Sequence, residues 1–383
     1  MSTTSDIALA GGAFTRRGLR QAARRIGGLL FFAGVPAVLL VVIVAGSLGD
    51  HFAFDFHQFW QGGRDVLDGR SPYPPAASLP SGGDPALGPV AIQHVFRFPY
   101  PAPAALVLVP FALLPFTLAA SLFVLLSTAA VFLALRLLEM RDWRCYGIVF
   151  ASIVTLGALR LGTFTPFLLL GLAAAWRFRA RRVLVACVVA ALIVAKLFLW
   201  PLLVWLVLSR RLASAALAVA LAATVTVASW AVLGFAGFGD YPKLLSSLAA
   251  SVQGKGWSLV ALGLSAGLSS AAAKALSLAI GVVVIAAAVA MPRQRRDFSS
   301  FTLTIVAAIV LSPIVWLHYF LLLVAPLAIA YPTLAPAWLI PLAFWVWPFQ
   351  ETGGDTWKIA FGLAALASVS ATTLVWRTSS QAA

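Results

Sequence analysis

Residues 55–73 read DFHQFWQGGRDVLDGRSPY and carry the densest cluster of polar side chains in an otherwise apolar chain. From Phe56 onward, apolar side chains recur at intervals of three and four residues, which is the spacing of one face of an α-helix. The polar side chains occupy the other faces, so the stretch predicts a short amphipathic helix on a membrane surface. Gly69 and the proline-rich residues 71–75 end this helix. Its apolar face consists of Phe56, Phe59, Trp60, Gly63, Val66 and Leu67.

Asp55 stands where an N-cap is expected, a position at which a side-chain oxygen accepts a hydrogen bond from the first turn of the helix. Gln58, three residues later, would complete a capping box. A structural role is therefore one interpretation of Asp55, and a catalytic role is another. The two roles are compatible, because a carboxylate held at a helix N-terminus still presents a free oxygen. Asp65 and Asp68 are predicted to lie on the solvated face of the same helix.

The composition is that of a polytopic membrane protein. Hydrophobic residues make up 62% of the 383 residues and charged residues 10%, whereas a soluble domain is about half apolar and a quarter charged. The net charge of +15 comes from short basic runs between apolar segments. This is the positive-inside pattern, and it argues against nucleic acid as a partner. The two cysteines, Cys145 and Cys187, predict neither a disulfide framework nor a metal site.

The basic runs and the apolar segments together predict an all-α fold of about twelve transmembrane helices, with both chain ends in the cytoplasm. Residues 1–28 are predicted as a basic cytoplasmic N-terminus, 29–376 as a single transmembrane domain and 377–383 as a cytoplasmic tail. External loops are predicted at 49–103 and 234–268. Several apolar segments are shorter than the roughly 20 residues of a full crossing, so we expect them to be tilted, broken or buried in protein. The twelve predicted transmembrane segments are 29–48, 117–135, 146–159, 164–176, 183–196, 197–208, 212–233, 271–291, 301–313, 315–330, 336–347 and 359–375.

A few charged residues fall at the external end of these segments. Lys196 lies in the apolar context VVAALIVAKLFLWP, where a lysine that faces lipid costs about 2.5–3.5 kcal/mol on insertion scales. We therefore expect it either to face a polar cavity or to extend to the external interface. Arg160 ends an apolar segment on the same side. His318 follows a break at Pro313, and although a lone histidine is usually structural, the break and the shared side with Asp55 favour a site role.

Several blocks of the chain, in order from about residue 50 to 325, resemble glycosyltransferase family 87. This family consists of integral-membrane sugar transferases of the C-type superfamily and includes polyprenol-phosphate-mannose-dependent mannosyltransferases. Thr163 departs from the resemblance, because the family often has glutamine after the glycine of that turn. The blocks are residues 55–73; Tyr100-Pro101 and the apolar run to Leu114-Pro115; Gly162; Lys196 before Trp200-Pro201; and Ser312-Pro313, Trp316 and His318.

The resemblance implies a C-type fold whose external first loop carries short amphipathic helices. It implies a hexosyl donor, typically mannose, linked to a polyprenyl phosphate, and an inverting transfer with Asp55 as general base. The leaving phosphate then needs cations rather than a proton donor. The residues expected to bind it are Arg64, Arg160 and Lys196; His318 is expected to bind phosphate or to assist Asp55; and Trp60, Tyr73 and Trp316 are candidates for stacking on the sugar.

The expected partners are the polyprenyl-phosphate sugar, a lipid or glycolipid acceptor in cell-envelope biosynthesis, and membrane lipids. No cofactor and no metal are expected, because the donor carries its own leaving group. Arabinose remains an alternative to mannose, and the acceptor is open among phosphatidylinositol mannosides, lipoglycans, arabinan and protein. A different class, a transporter or flippase, also stays open, because Lys196 and the broken segments would suit one.

Overall fold

The computed structural model describes residues 23, 25–46, 52–80, 91, 94–346, 352–353 and 355–379. All regular structure in these residues is helical, which confirms the all-α prediction. Most of the predicted basic N-terminus and the last residues of the predicted tail lie outside them.

Helices α1 to α17 follow one another in chain order, with short 3-10 segments between some of them. A π-helical turn, Leu30–Gly34, leads into α1. The helices are α1 Val35–Gly46, α2 Phe54–Leu67, α3 Ala102–Ala112, α4 Phe116–Leu137, α5 Trp143–Ala151, α6 Ile153–Leu161, α7 Thr165–Arg177, α8 Arg182–Ala195, α9 Leu202–Leu208, α10 Leu212–Val232, α11 Tyr241–Val252, α12 Leu259–Ser265, α13 Ser270–Ala290, α14 Arg296–Leu311, α15 Val324–Ala330, α16 Leu339–Ala343 and α17 Thr356–Ser379. The 3-10 segments are Ala76–Ser78, Leu197–Leu199, Leu317–Leu323, Pro336–Trp338 and Phe344–Val346.

Five helices in the described part of the chain are long and apolar enough to cross a membrane, so the chain is a helical membrane protein. A sixth crossing results if α5 and α6, which meet at a 60° bend, form one span. Helix length does not support the predicted count of about twelve, because other predicted spans form only short helices or are broken. The five candidates are Arg25–Val42, Phe116–Leu137, Leu212–Val232, Ser270–Ala290 and Thr356–Leu374. The shorter apolar helices are Ala102–Ala112, Arg182–Ala195, Leu197–Leu208, Leu317–Ala330 and Pro336–Val346.

Helix α2 confirms the amphipathic helix predicted from residue 56 onward. Its apolar face buries Phe56 and Phe59 in an aromatic cluster with Phe123. Gly63 lets α2 approach α3 closely, since a Cβ at this position would lie 2.9 Å from the Ala112 Cβ. Gly69, with a φ of +67°, follows the helix and takes the left-handed conformation that a C-terminal glycine supplies. The apolar spacing and the glycine were thus sufficient to predict this helix.

The predicted capping box at the start of α2 is wrong. Ala53 occupies the N-cap in a left-handed conformation with a φ of 52°, and Asp55 lies inside the first turn. Gln58 instead donates its side-chain N–H to the carbonyl of Phe96 at 3.0 Å. The helix starts earlier because the Ala53 N–H donates to the Arg160 carbonyl at 3.0 Å, a contact between distant segments that local sequence does not reveal.

Asp65 is also placed differently from the prediction. The residue is only 4% exposed and pairs with Arg70 at 3.0 Å and Arg97 at 3.5 Å. The two guanidinium groups compensate its burial, as a buried carboxylate requires. Asp68 is exposed, as predicted, and pairs with Arg70 at 2.9 Å. Asp65 therefore stabilises the first loop rather than forming part of a solvated face.

Candidate active site

A cavity of about 690 Å³ lies where the first turn of α2 meets breaks that follow α6, α8 and α14. Most of its wall is apolar, and its polar side chains come from the helix ends. Because a broken helix leaves backbone groups without their usual partners, breaks at membrane depth occur where protein or a cavity surrounds them. Five of the eight predicted site residues line this cavity: Asp55, Arg160, Lys196, Trp316 and His318.

The turn after α6 fixes the position of Asp55. Gly162 has a φ of +66°, and a Cβ there would lie 2.7 Å from the Phe56 Cβ, so this turn requires glycine both for its conformation and for its space. The hydrogen bond from Ala53 to Arg160 ties the same two segments together. These contacts hold Asp55 and Arg160 on neighbouring parts of the cavity wall.

Thr163, the position at which the family often has glutamine, is buried. Its hydroxyl accepts the N–H of Thr165 at 3.3 Å, and the residue does not line the cavity. Thr163 therefore supports the turn and takes no place in the site.

Lys196 occupies the break between α8 and the 3-10 turn Leu197–Leu199. It is 9% exposed, and its ammonium donates to the hydroxyl of Tyr319 at 2.7 Å. The same ammonium lies 4.3 Å from the ring centroid of Tyr319 and 5.5 Å from that of Tyr100. Within the described residues none of its contacts is a carboxylate. Lys196 is thus a buried cation that faces a cavity, the first of the two expected placements.

His318 and Trp316 come from the break that follows α14. Helix α14 ends at Leu311, and the chain continues through Pro313 to the 3-10 segment Leu317–Leu323, in which His318 is 2% exposed. The second predicted loop, 234–268, packs on this break. The backbone N–H of Trp257 donates to the Val315 carbonyl at 2.6 Å, and the Ser258 hydroxyl donates to the Pro313 carbonyl at 3.0 Å.

The cavity has polar residues that the sequence did not single out as site residues. Gln58, Tyr100, Lys255 and Tyr319 all line it. Burial and the nearby carboxylate of Asp55 raise the pKa of the Tyr100 phenol well above its usual value, so this phenol stays neutral. Tyr319 directly follows His318, and Tyr100 opens a motif of the resemblance. These neighbours were the available signal, whereas nothing local indicated Gln58.

The other three predicted site residues lie outside the cavity lining. Trp60 donates its indole N–H to the Leu114 carbonyl at 3.0 Å. Arg64 is exposed on α2, with its guanidinium 5.8 Å from the Trp60 ring. Tyr73 is buried and donates its hydroxyl to the Tyr100 carbonyl at 2.9 Å. These contacts attach the first loop to its surroundings.

In the described part of the chain, no group of three or more His, Cys, Asp or Glu side chains is arranged to hold a metal ion. The cavity offers a carboxylate, an imidazole and three cationic side chains, Arg160, Lys196 and Lys255. This set suits chemistry in which a hydroxyl loses a proton and an anion is bound.

Residues 98–317 match the model of glycosyltransferase family 87. The match covers more than half of the chain, and the protein belongs to this family. It is therefore a membrane glycosyltransferase, an enzyme that takes a sugar donor and an acceptor, and the transporter alternative is set aside. The matched residues include Arg160, Lys196 and Trp316, but neither Asp55 nor His318. No curated protein and no solved structure matches the chain.

Proposed function

We propose that this enzyme transfers a sugar, mannose in the first instance, from a polyprenyl phosphate to a lipid or glycolipid acceptor. The transfer inverts the donor's anomeric configuration, with Asp55 as the general base. The fold is of the C-type, in which the short helices pair to form further membrane crossings. The cavity opens on the external face of the membrane. The positive-inside distribution of arginine supports this side.

Lys196 carries the proposal. Burying an ammonium is unfavourable unless an anion or hydrogen-bond acceptors compensate it, and within the described residues the one hydrogen bond of the Lys196 ammonium goes to the Tyr319 hydroxyl. A phosphate in the cavity would supply the missing negative charge. Arg160 and Lys255 line the same cavity and add donors for the phosphate oxygens.

The reaction assigns one task to each polar group. The acceptor oxygen forms a bond to the anomeric carbon while the bond from that carbon to the phosphate oxygen breaks. The bonding electrons stay on the phosphate, and the acceptor proton moves to the Asp55 carboxylate. His318 assists Asp55 or binds phosphate, and Trp316 offers a ring to the sugar. Cations stabilise the charge that develops on the phosphate.

The apolar cavity wall supports a lipid-linked donor over a soluble nucleotide sugar. On one face of α11, the side chains of Leu245, Leu248 and Val252 line the cavity, and Phe198 does so from the break beside Lys196. Such surface accepts an isoprenoid chain and gives little binding to a nucleotide. Among the described residues that line the cavity, none separates a hexose from a pentose, so arabinose stays an alternative to mannose.

The test uses the purified wild-type protein in detergent with a membrane lipid extract as acceptor. One reaction receives radiolabelled polyprenyl-phosphate mannose, a second the arabinose donor, and a third GDP-mannose. We expect the mannose of the lipid-linked donor to enter the acceptor and to be released by an α-mannosidase. Transfer from GDP-mannose alone would refute the lipid-linked donor, and a β-linked product from a β-linked donor would refute inversion.

A further inference from the structure

Tyr319 has a hydroxyl whose hydrogen has no acceptor among the described residues. The residue is 7% exposed, and its oxygen accepts a hydrogen bond from Lys196 at 2.7 Å. A lysine ammonium only donates, so the hydroxyl hydrogen of Tyr319 must point elsewhere. The residue lines the cavity beside His318, and a buried hydroxyl hydrogen without an acceptor is unfavourable.

The surroundings hold this hydroxyl in one place. The ring of Tyr319 stacks on Phe198, with a centroid distance of 5.0 Å and an interplanar angle of 14°. Lys196 contacts both the hydroxyl and the ring face of Tyr319. Because the ring and the oxygen are both fixed, the hydrogen needs little reorganisation to meet an anion, which is the condition for efficient electrostatic stabilisation.

We propose that Tyr319 and Lys196 form one two-donor site for the phosphate of the lipid-linked sugar, in which Tyr319 donates its hydroxyl hydrogen directly to a phosphate oxygen. The inference rests on the proposed function and adds a binding residue to it. A hydroxyl that accepts from a cation is a better donor to an anion, because hydrogen bonds in a chain strengthen one another.

The charge on the phosphate determines when this site acts most strongly. The donor is a phosphodiester with a single negative charge, and the product is a monoester with about 1.5–2 negative charges at pH 7. Interactions that strengthen as charge develops favour the transition state over bound substrate. Loss of the Tyr319 hydroxyl should therefore lower kcat more than it raises KM for the donor, and should weaken binding of the monoester product more than binding of the diester.

The test is a double-mutant cycle on binding of undecaprenyl monophosphate to the full chain in detergent. The variants are Tyr319→Phe, Lys196→Met and the double variant, with undecaprenyl-phosphate mannose as the diester for comparison. Tyr319→Phe keeps the ring, its stack and its contact with the ammonium. We expect it to weaken monoester binding roughly 10- to 100-fold, the range for a hydrogen bond to a charged group. Tyr146→Phe is the matched control, because its hydroxyl lies 3.5 Å from the Met140 carbonyl and away from the cavity.

The double variant separates a phosphate ligand from a residue that merely orients Lys196. The double variant also lacks the Lys196 ammonium, which Tyr319→Phe leaves buried without its acceptor. It therefore remains informative if Tyr319→Phe does not fold. A direct ligand predicts that the double variant binds the monoester roughly 3- to 10-fold more weakly than Lys196→Met. Equal affinities would overturn the role of Tyr319 and leave the proposed function intact. A wild type that neither binds the monoester nor transfers sugar would overturn both.

Discussion

The cavity and the opposite, basic part of the molecule use their cations in contrasting ways. Lys196 at the cavity contacts a phenol and two rings. At the start of α14, by comparison, Asp297 accepts two bonds from Arg211 at 2.6 and 2.9 Å, and pairs with Arg179 at 3.3 Å.

Under the proposed function, this contrast separates a cation that stabilises the fold from one that binds a ligand. A carboxylate satisfies the guanidinium of Arg211 within the protein, so no external anion is needed there. At Lys196, a carboxylate would compete with the phosphate of the proposed donor. The contrast predicts that changes at the two sites affect different quantities.

Among the variants that test this contrast, Lys196→Met should cause the largest loss of function. We expect transfer to fall roughly 100- to 1,000-fold, the cost of removing one preorganised group that stabilises developing charge. The melting temperature should stay unchanged or rise, because Met fills similar space without a buried charge. The measurement pairs initial rates with thermal unfolding in detergent. A large fall in melting temperature would show that Lys196 is structural.

Asp297→Asn should show the reverse pattern. The variant leaves Arg211 without a counter-ion, and we expect a loss of about 1–3 kcal/mol in stability, limited by partial exposure of the pair. Transfer measured well below the melting temperature should remain within about twofold of wild type. An Asp297→Asn protein with the melting temperature of wild type but without transfer would contradict the contrast between the two sites.

Gly162→Ala should disturb both stability and transfer, and Gly69→Ala provides a matched control. The two glycines have φ of +66° and +67°, but a Cβ at Gly69 meets no atom within 4 Å. Both variants lose about 1–2 kcal/mol from backbone strain. Gly162→Ala should lose about 1–3 kcal/mol more from the clash with Phe56, with lower transfer, since Asp55 shares that helix. Equal stability losses would show that the close contact has no role.

Asp142 should give the smallest effect. It caps α5 through the Arg144 N–H, and the hydrogen bond from the Arg144 side chain lowers the pKa of its carboxyl. A lowered folded-state pKa adds stability that is complete above the unfolded pKa of about 3.9 and is lost as pH falls through the folded value. Asp142→Asn should lower the free energy of unfolding by about 0.5–1 kcal/mol at neutral pH. The resulting difference in melting temperature between wild type and variant should shrink below about pH 4. A difference independent of pH would contradict this.

The sequence predicted elements whose cause is local. The spacing of Phe56 and Phe59, the stop at Gly69 and the turn at Gly162 each follow from one residue type or one period. Membrane character followed from composition and charge distribution, which also favoured one side of the membrane for Asp55 and Lys196 but left open whether Lys196 faces a cavity or extends to the interface. The structure also brings Arg179, Arg211 and Asp297 together, away from the cavity lining.

The predictions that were wrong concern residues whose position depends on contacts between distant segments. Ala53 replaced Asp55 as the cap because the carbonyl of Arg160 meets it from a helix about a hundred residues later. Asp65 is buried because Arg97 reaches it. The breaks at Lys196 and Pro313 lie where the predicted segments end, but the number of full crossings could not be predicted, because an apolar run does not show whether a short helix spans the membrane.

The most direct test of the account is transfer of radiolabelled sugar from the lipid-linked donor by wild type, Asp55→Asn and Asp68→Asn. Asp55→Asn preserves shape and removes the base, so we expect its rate to fall about 100- to 10,000-fold. Asp68→Asn removes an exposed acid of the same loop and should match wild type. Equal transfer by a folded Asp55→Asn protein would contradict the account, because Asp55 would then have no part in the chemistry.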